Sequence, residues 1–270
     1  MPSNISELIL CDAHVHYYDC FDLDYFLNCA WDNFYRQAQL SQKQDEFIAV
    51  LMLTEAKQDN WFLELKENTC QSNTWSFQET SELESLFAVD KDGHRIVIIN
   101  GRQIVTSENL EVLALATPDT LDDGKPITDV IEWVKDKGAI AVVPWGFGKW
   151  WGNRGRILSK VLESFSRDEV FLGDNSGRPW FLGWPDHFKK ANREHRRIFP
   201  GSDPLPFSSE AWRPGSCGFY FIGSLEEASP AKSLRDHLSD PKTNIINYMH
   251  CERLIPFVKN QVAMQIKKRM

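Results

Sequence analysis

Two histidines stand one residue apart in DAHVHYYD, as His14 and His16, just after the apolar run Leu8-Ile9-Leu10-Cys11. If that run is a strand, period-two alternation puts both imidazoles on one face. There they could grip one divalent ion together, or simply be two ordinary residues on a strand face. Other apolar runs also end in polar residues. LMLTEA reaches Glu55, EVFLGDNSG reaches Asp174 and Asn175, and IFPGSDPLPF reaches Asp203. Asp203 could ligate a metal or act as a base toward a bound water. Glu55 or Asp174 could complete the ligand shell or take a proton. Glu55 could equally cap the next helix, and Gly-Ser-Asp is also an ordinary turn.

Cations follow in PWGFGKWWGNRGR, as Lys149, Arg154 and Arg156. Arg178 in NSGRPW and Arg213 in SEAWRPG add two more. These could meet a small anionic substrate, with nearby glycines letting backbone N–H groups approach it. The competing reading of the Trp-rich stretch is a long loop packed by its aromatic rings.

These residues need elements to position them. Short apolar runs with little alternation predict strands over Ile9–Val15, Phe47–Leu53, Ile96–Ile99, Val112–Ala116, Ala139–Val143, Val170–Leu172 and Ile198–Phe199. Such runs suit a parallel sheet covered on both faces. Helical spacing predicts helices over Asp24–Ala38, Ile127–Lys137, Ile157–Phe165 and Asp186–Arg196, with a last one from Glu252. The alternation predicts one α/β domain over 1–270, a distorted TIM-like (β/α)7 barrel with its chemistry at the strand C-termini. Leu65–Leu86 and Phe207–Tyr220 break the rhythm and read as insertions or rim loops. Residues 207–270 read as a C-terminal helical extension.

The net charge of -8 argues against broad nucleic-acid binding. No apolar run approaches the roughly 20 residues of a membrane span. MPSNISEL lacks a basic, apolar leader, and six scattered cysteines with no CxxC pair suggest reduced thiols. The expectation is a cytoplasmic protein with no membrane partner.

In motif order the chain resembles the PHP family (polymerase and histidinol phosphatase domain), from about Leu8 to Phe207. DAHVHYYD resembles the first motif, with Asp19 or Asp22 at its acidic position. IAVLMLTEA resembles the second, with Glu55 at the acid and Ala56 where a histidine is expected. Gln103 stands at the metal-bridging glutamate, Trp145 at the histidine of an Ala-His-Pro, and Pro204 at the histidine after Asp203. The resemblance implies a distorted (β/α)7 barrel, a two- or three-metal centre and phosphate-ester hydrolysis. Alanine and proline offer no ligand atom, indole only donates, and an amide binds metals weakly. The surviving set implies one Zn2+, Mn2+ or Fe2+ ion at His14, His16 and Asp203. The chain then reads as a mononuclear phosphoesterase, or alternatively as a degenerate PHP-like barrel kept as a binding or regulatory module.

Overall fold

The computed structural model describes residues 6–41, 47–249 and 251–267. The leader reading over 1–5 and the end of the last predicted helix at 268–270 lie outside the described residues. In chain order the elements are β1 (Glu7–Val15), α1 (Leu23–Leu40), β2 (Phe47–Leu53), α2 (Trp61–Lys66), β3 (Trp75–Glu79), β4 (Ser85–Asp90) and β5 (Arg95–Ile99). There follow β6 (Gly101–Val105), β7 (Glu111–Leu115), α3 (Ile127–Asp136), β8 (Ile140–Pro144), α4 (Gly152–Ser164), β9 (Val170–Asn175), α5 (Asp186–Arg193) and β10 (Ile198–Gly201). The chain ends with β11 (Gly218–Gly223), α6 (Pro230–Ser239), β12 (Ile246–Tyr248) and α7 (Leu254–Lys267).

The apolar runs do form strands, and amphipathic helices cover them. Helix α1 starts where the Asp22 carboxylate accepts from Tyr25 N at 2.8 Å, and it buries Phe26, Leu27, Ala30 and Phe34. Helix α3 buries Ile127, Val130, Ile131 and Val134 against β7 and β8.

The expected barrel is not what forms. The strands make two mixed sheets, ordered β12-β11-β1-β2-β5-β4-β3 and β10-β9-β8-β7-β6, and neither closes. The reason lies at β1. One edge pairs parallel with β2; the other pairs antiparallel with β11, from Glu7 opposite Gly223 to Cys11 opposite Phe219. The last strand of the second sheet, β10, therefore has no free β1 edge on which to close a ladder. Only Asn100 separates β5 from β6, so the chain passes between sheets without a crossover helix. The pairs β6–β7 and β7–β8 are accordingly antiparallel.

Two further expectations change. Leu65–Leu86 is not an insertion loop, because β3 and the start of β4 lie within it. The segment 207–270 is not purely helical, since β11 and β12 join the larger sheet. Among the described residues, no helix is long and apolar enough to cross a membrane.

Candidate metal centre

His14 and His16 are both buried at the C-terminal end of β1. Their Nε2 atoms lie 3.1 Å apart. The Tyr18 ring stacks on His16 at 5.7 Å, and Thr54 Oγ1 lies 3.5 Å from His16 Nε2.

Asp203 arrives from the second sheet just after β10. A β-carbon on Gly201 would sit 2.4 Å from His14 Cβ and 2.4 Å from its backbone N. Only glycine lets the two chains meet there. The contact is fixed by Asp203 N donating to His14 O at 2.8 Å, and Asp203 takes a left-handed φ of 45°. Beneath it, the buried Asp12 carboxylate accepts from Ser202 N and Gly215 N, each at 2.9 Å, and from His14 N at 3.3 Å. One side chain thus ties β1 to the segments after β10 and before β11.

Asp203 Oδ1 lies 3.5 Å from His14 Nε2 and 3.7 Å from His16 Nε2. Its Oδ2 accepts from Asn175 Nδ2 at 2.7 Å, and the same amide donates to Trp145 O at 2.9 Å. Asn175 therefore aims the carboxylate. Burial, then the neighbouring His14, lowers His16 to about 4, although Asp203 and the Gln103 amide work the other way. Burial raises Asp203, but His14, His16, Lys149 and Arg213 outweigh it and hold the carboxyl below its ordinary value. At neutral pH this leaves His16 neutral beside a carboxylate, the protonation states a cation needs.

The donor geometry fits one ion. Bonds of roughly 2.0–2.1 Å to a tetrahedral Zn2+ put neighbouring ligand atoms roughly 3.3 Å apart. The three separations here bracket that value, and of the three residues Asp203 lines the cavity described next. Three protein ligands leave a position for water or substrate. The fit is incomplete in one respect: His16 Nδ1 is buried with no partner, where ligating histidines usually donate to an acceptor.

A cavity of about 140 Å³ opens beside Asp203, lined among others by Trp145, Lys149, Asn175, Arg213 and Phe257. A larger one of about 660 Å³ surrounds Glu7, Phe47 and Arg95, at the opposite strand ends, and touches none of these ligands. Its volume is no guide to the chemistry.

The two carboxylates expected to be catalytic are engaged elsewhere. Glu55 Oε1 accepts from Phe62 N at 2.5 Å, in the first turn of α2, and Oε2 pairs with Arg102 Nη1 at 2.9 Å. Burial pushes its carboxyl up to about 7, against the Phe62 N–H and Arg102. Such a value would suit a base, but the side chain is committed to the helix end and the arginine. Asp174 takes both Nε and Nη2 of Arg178, each at 2.8 Å, and both side chains are buried. Arg178 is thereby removed from the rim as well, its Nη1 spent on Gly183 O at 2.8 Å.

Of the remaining expected cations, Lys149 lines the cavity and pairs with Glu111. Arg154 donates to Gly148 O at 2.9 Å, and Arg156 is exposed on α4. Neither lines the cavity. Gln103, at the expected bridging position, does stand beside His16. Asp22 caps α1, and Asp19 is exposed. Sequence reasoning passed over Asp12, although an aspartate inside an apolar strand is itself a signal. It also passed over Glu111, Glu210 and Glu252, which line the cavity from distant segments.

No family model and no curated protein matches the sequence. A similar solved structure is the crystal structure of PsfC from Pseudomonas syringae. It superposes with a TM-score of 0.54 at 12% identity, over 97% of this chain and 98% of that one. At that identity the likeness shows the fold alone.

Proposed function

We propose that this protein is a metal-dependent hydrolase, most simply a phosphoesterase acting on a small anionic substrate through one divalent ion. The convergence of His14 Nε2, His16 Nε2 and Asp203 Oδ1 at the spacing of a single coordination sphere carries this reading. The resemblance of the HxH stretch and the distal Asp203 to PHP motifs supports it. His14, His16 and Asp203 would hold Zn2+, Mn2+ or Fe2+, and the bound ion would supply Lewis-acid polarisation and a water of lowered pKa. Asn175 keeps the Asp203 carboxylate aimed, and Lys149 faces the substrate's charge. All six cysteines are free, which supports a reducing, cytoplasmic setting. The acidic net charge supports a small-molecule rather than a nucleic-acid or membrane partner.

A second reading is favoured by one observation. Neither Glu55 nor Asp174 reaches the centre. A fold of this kind without a proton acceptor beside its ion would serve as a binding or regulatory module. Hydrolysis of 4-nitrophenyl phosphate by chelator-stripped and metal-restored protein separates the two. The hydrolase reading expects turnover that returns with metal and is absent in His14→Ala. Metal uptake without turnover on a panel of phosphoesters supports the module.

A further inference from the structure

Arg213 is 6% exposed, yet it lines the cavity that holds Asp203. Its guanidinium is crowded by two carboxylates. Glu210, three residues before it on the same turn, meets Nε, and Glu252, from the segment leading into α7, meets Nη2. Nη1 donates to Ser176 Oγ at 2.8 Å. One cation facing a buried carboxylate, Glu210, and a partly buried one, Glu252, leaves a surplus negative charge at the cavity wall, where desolvating it is costly.

The two carboxylates are not equivalent. Glu210 is local to Arg213 and buried with it. Glu252 comes from a segment whose own backbone groups are held without its side chain: its N–H donates to Arg178 O at 2.9 Å and its C=O accepts from Trp180 N at 3.3 Å, while the carboxylate makes a local contact with Arg253 N at 3.3 Å. Its carboxylate can therefore swing off Arg213 while the chain stays in place. Helix α7, which follows, buries only Phe257 and faces the cavity with Asn260 and Gln261.

We propose that Arg213 is the anion-recognition residue of this cavity, and that the Glu252 carboxylate is an internal stand-in that the substrate's anionic group displaces. The proposal rests on the hydrolase reading for its substrate class and deepens it. Arg213 presents a planar fork suited to a phosphate or carboxylate, and Ser176 Oγ fixes its orientation. An incoming anion would replace one carboxylate by another negative group on the same nitrogen. Asp203, one of the three metal-ligand candidates, lines the same cavity.

Titration calorimetry with inorganic phosphate tests this on metal-loaded protein. Glu252→Gln removes the competing charge while keeping the shape, and is expected to tighten phosphate binding roughly tenfold. Glu252→Asp withdraws the carboxylate by one methylene and is expected to move affinity the same way. Arg213→Gln is expected to abolish saturable binding. Phosphate affinity unchanged or weakened in folded Glu252→Gln and Glu252→Asp would overturn the proposal. Metal content, measured on the same samples, keeps the two readings apart. If no metal is taken up, the hydrolase reading falls, and tightening of phosphate by Glu252→Gln in metal-free protein still decides the role of Arg213.

Discussion

Gly201 and His14 touch across the gap between the two sheets, with no room for a β-carbon at 201. The candidate centre exists because of this contact. It brings Asp203, from the second sheet, to the two histidines at the end of a strand in the first. A Gly201→Ala substitution must push β10 away from β1, because the clash is with backbone as well as side chain. Overpacking of this kind costs about 1–3 kcal/mol. Denaturant unfolding is expected to show such a loss, together with weaker metal uptake as Asp203 withdraws.

Asn175 acts on the centre through Asp203 alone. Removing a partner that orients a ligand typically weakens metal affinity about 10–100-fold. Asn175→Ala is expected to fall in that range when metal affinity is read by competition with a chromophoric chelator. Because the amide also donates to Trp145 O, a small loss of stability should accompany it.

The Asp174–Arg178 pair is a structural element. Removing one partner of a buried pair leaves an uncompensated charge and costs about 3–5 kcal/mol. Arg178→Met is expected to destabilise by that order. Asp174→Asn with Arg178→Met together should recover much of the loss. Metal stoichiometry should remain that of the wild type in the double variant, which a role for Asp174 as ligand would not allow.

Acid should unfold the metal-free protein partly through His16. An unfolded histidine takes its proton near pH 6.5, whereas His16 resists until about 4. Between those values the unfolded chain holds the extra proton, so stability is lost as pH falls through that window and is fully present above it. The size is about 3 kcal/mol at most. Other groups also titrate there: burial raises Asp12 to about 7, which works in the opposite sense. The clean observable is thus the stability of wild type minus that of His16→Asn. This difference should shift against the wild type from pH 7 to pH 4.

Much of the centre was legible in the sequence, because ligand chemistry is carried by residue types at strand ends. His14, His16 and Asp203 are singled out as polar residues ending apolar runs, by their order along the chain and by the resemblance to PHP motifs. Asp174 and Arg178 could have been read as a pair from their four-residue spacing, since that offset brought them together here. For Glu55 the helix-cap alternative read from the sequence is what forms, at Phe62 N, but its pairing with Arg102 was not legible, because Arg102 lies on another strand and their meeting depends on the sheet crossing. That crossing rests on Gly101, whose β-carbon would lie 2.6 Å from Leu53 O. The barrel expectation failed at β11 for a similar reason. GFYFIG looks like any short apolar run after a turn, and its pairing with β1 is set by contacts nearly the whole chain apart. Local periodicity finds strands but does not say which edge they take.

The most direct measurement is metal content by mass spectrometry on protein purified without added metal and then equilibrated with Zn2+, Mn2+ or Fe2+. A single centre at His14, His16 and Asp203 predicts about one tightly held equivalent, lost in His14→Ala and in Asp203→Ala but kept in Glu55→Gln. Absence of bound metal from the wild type, or metal content unchanged in both ligand variants, would contradict it.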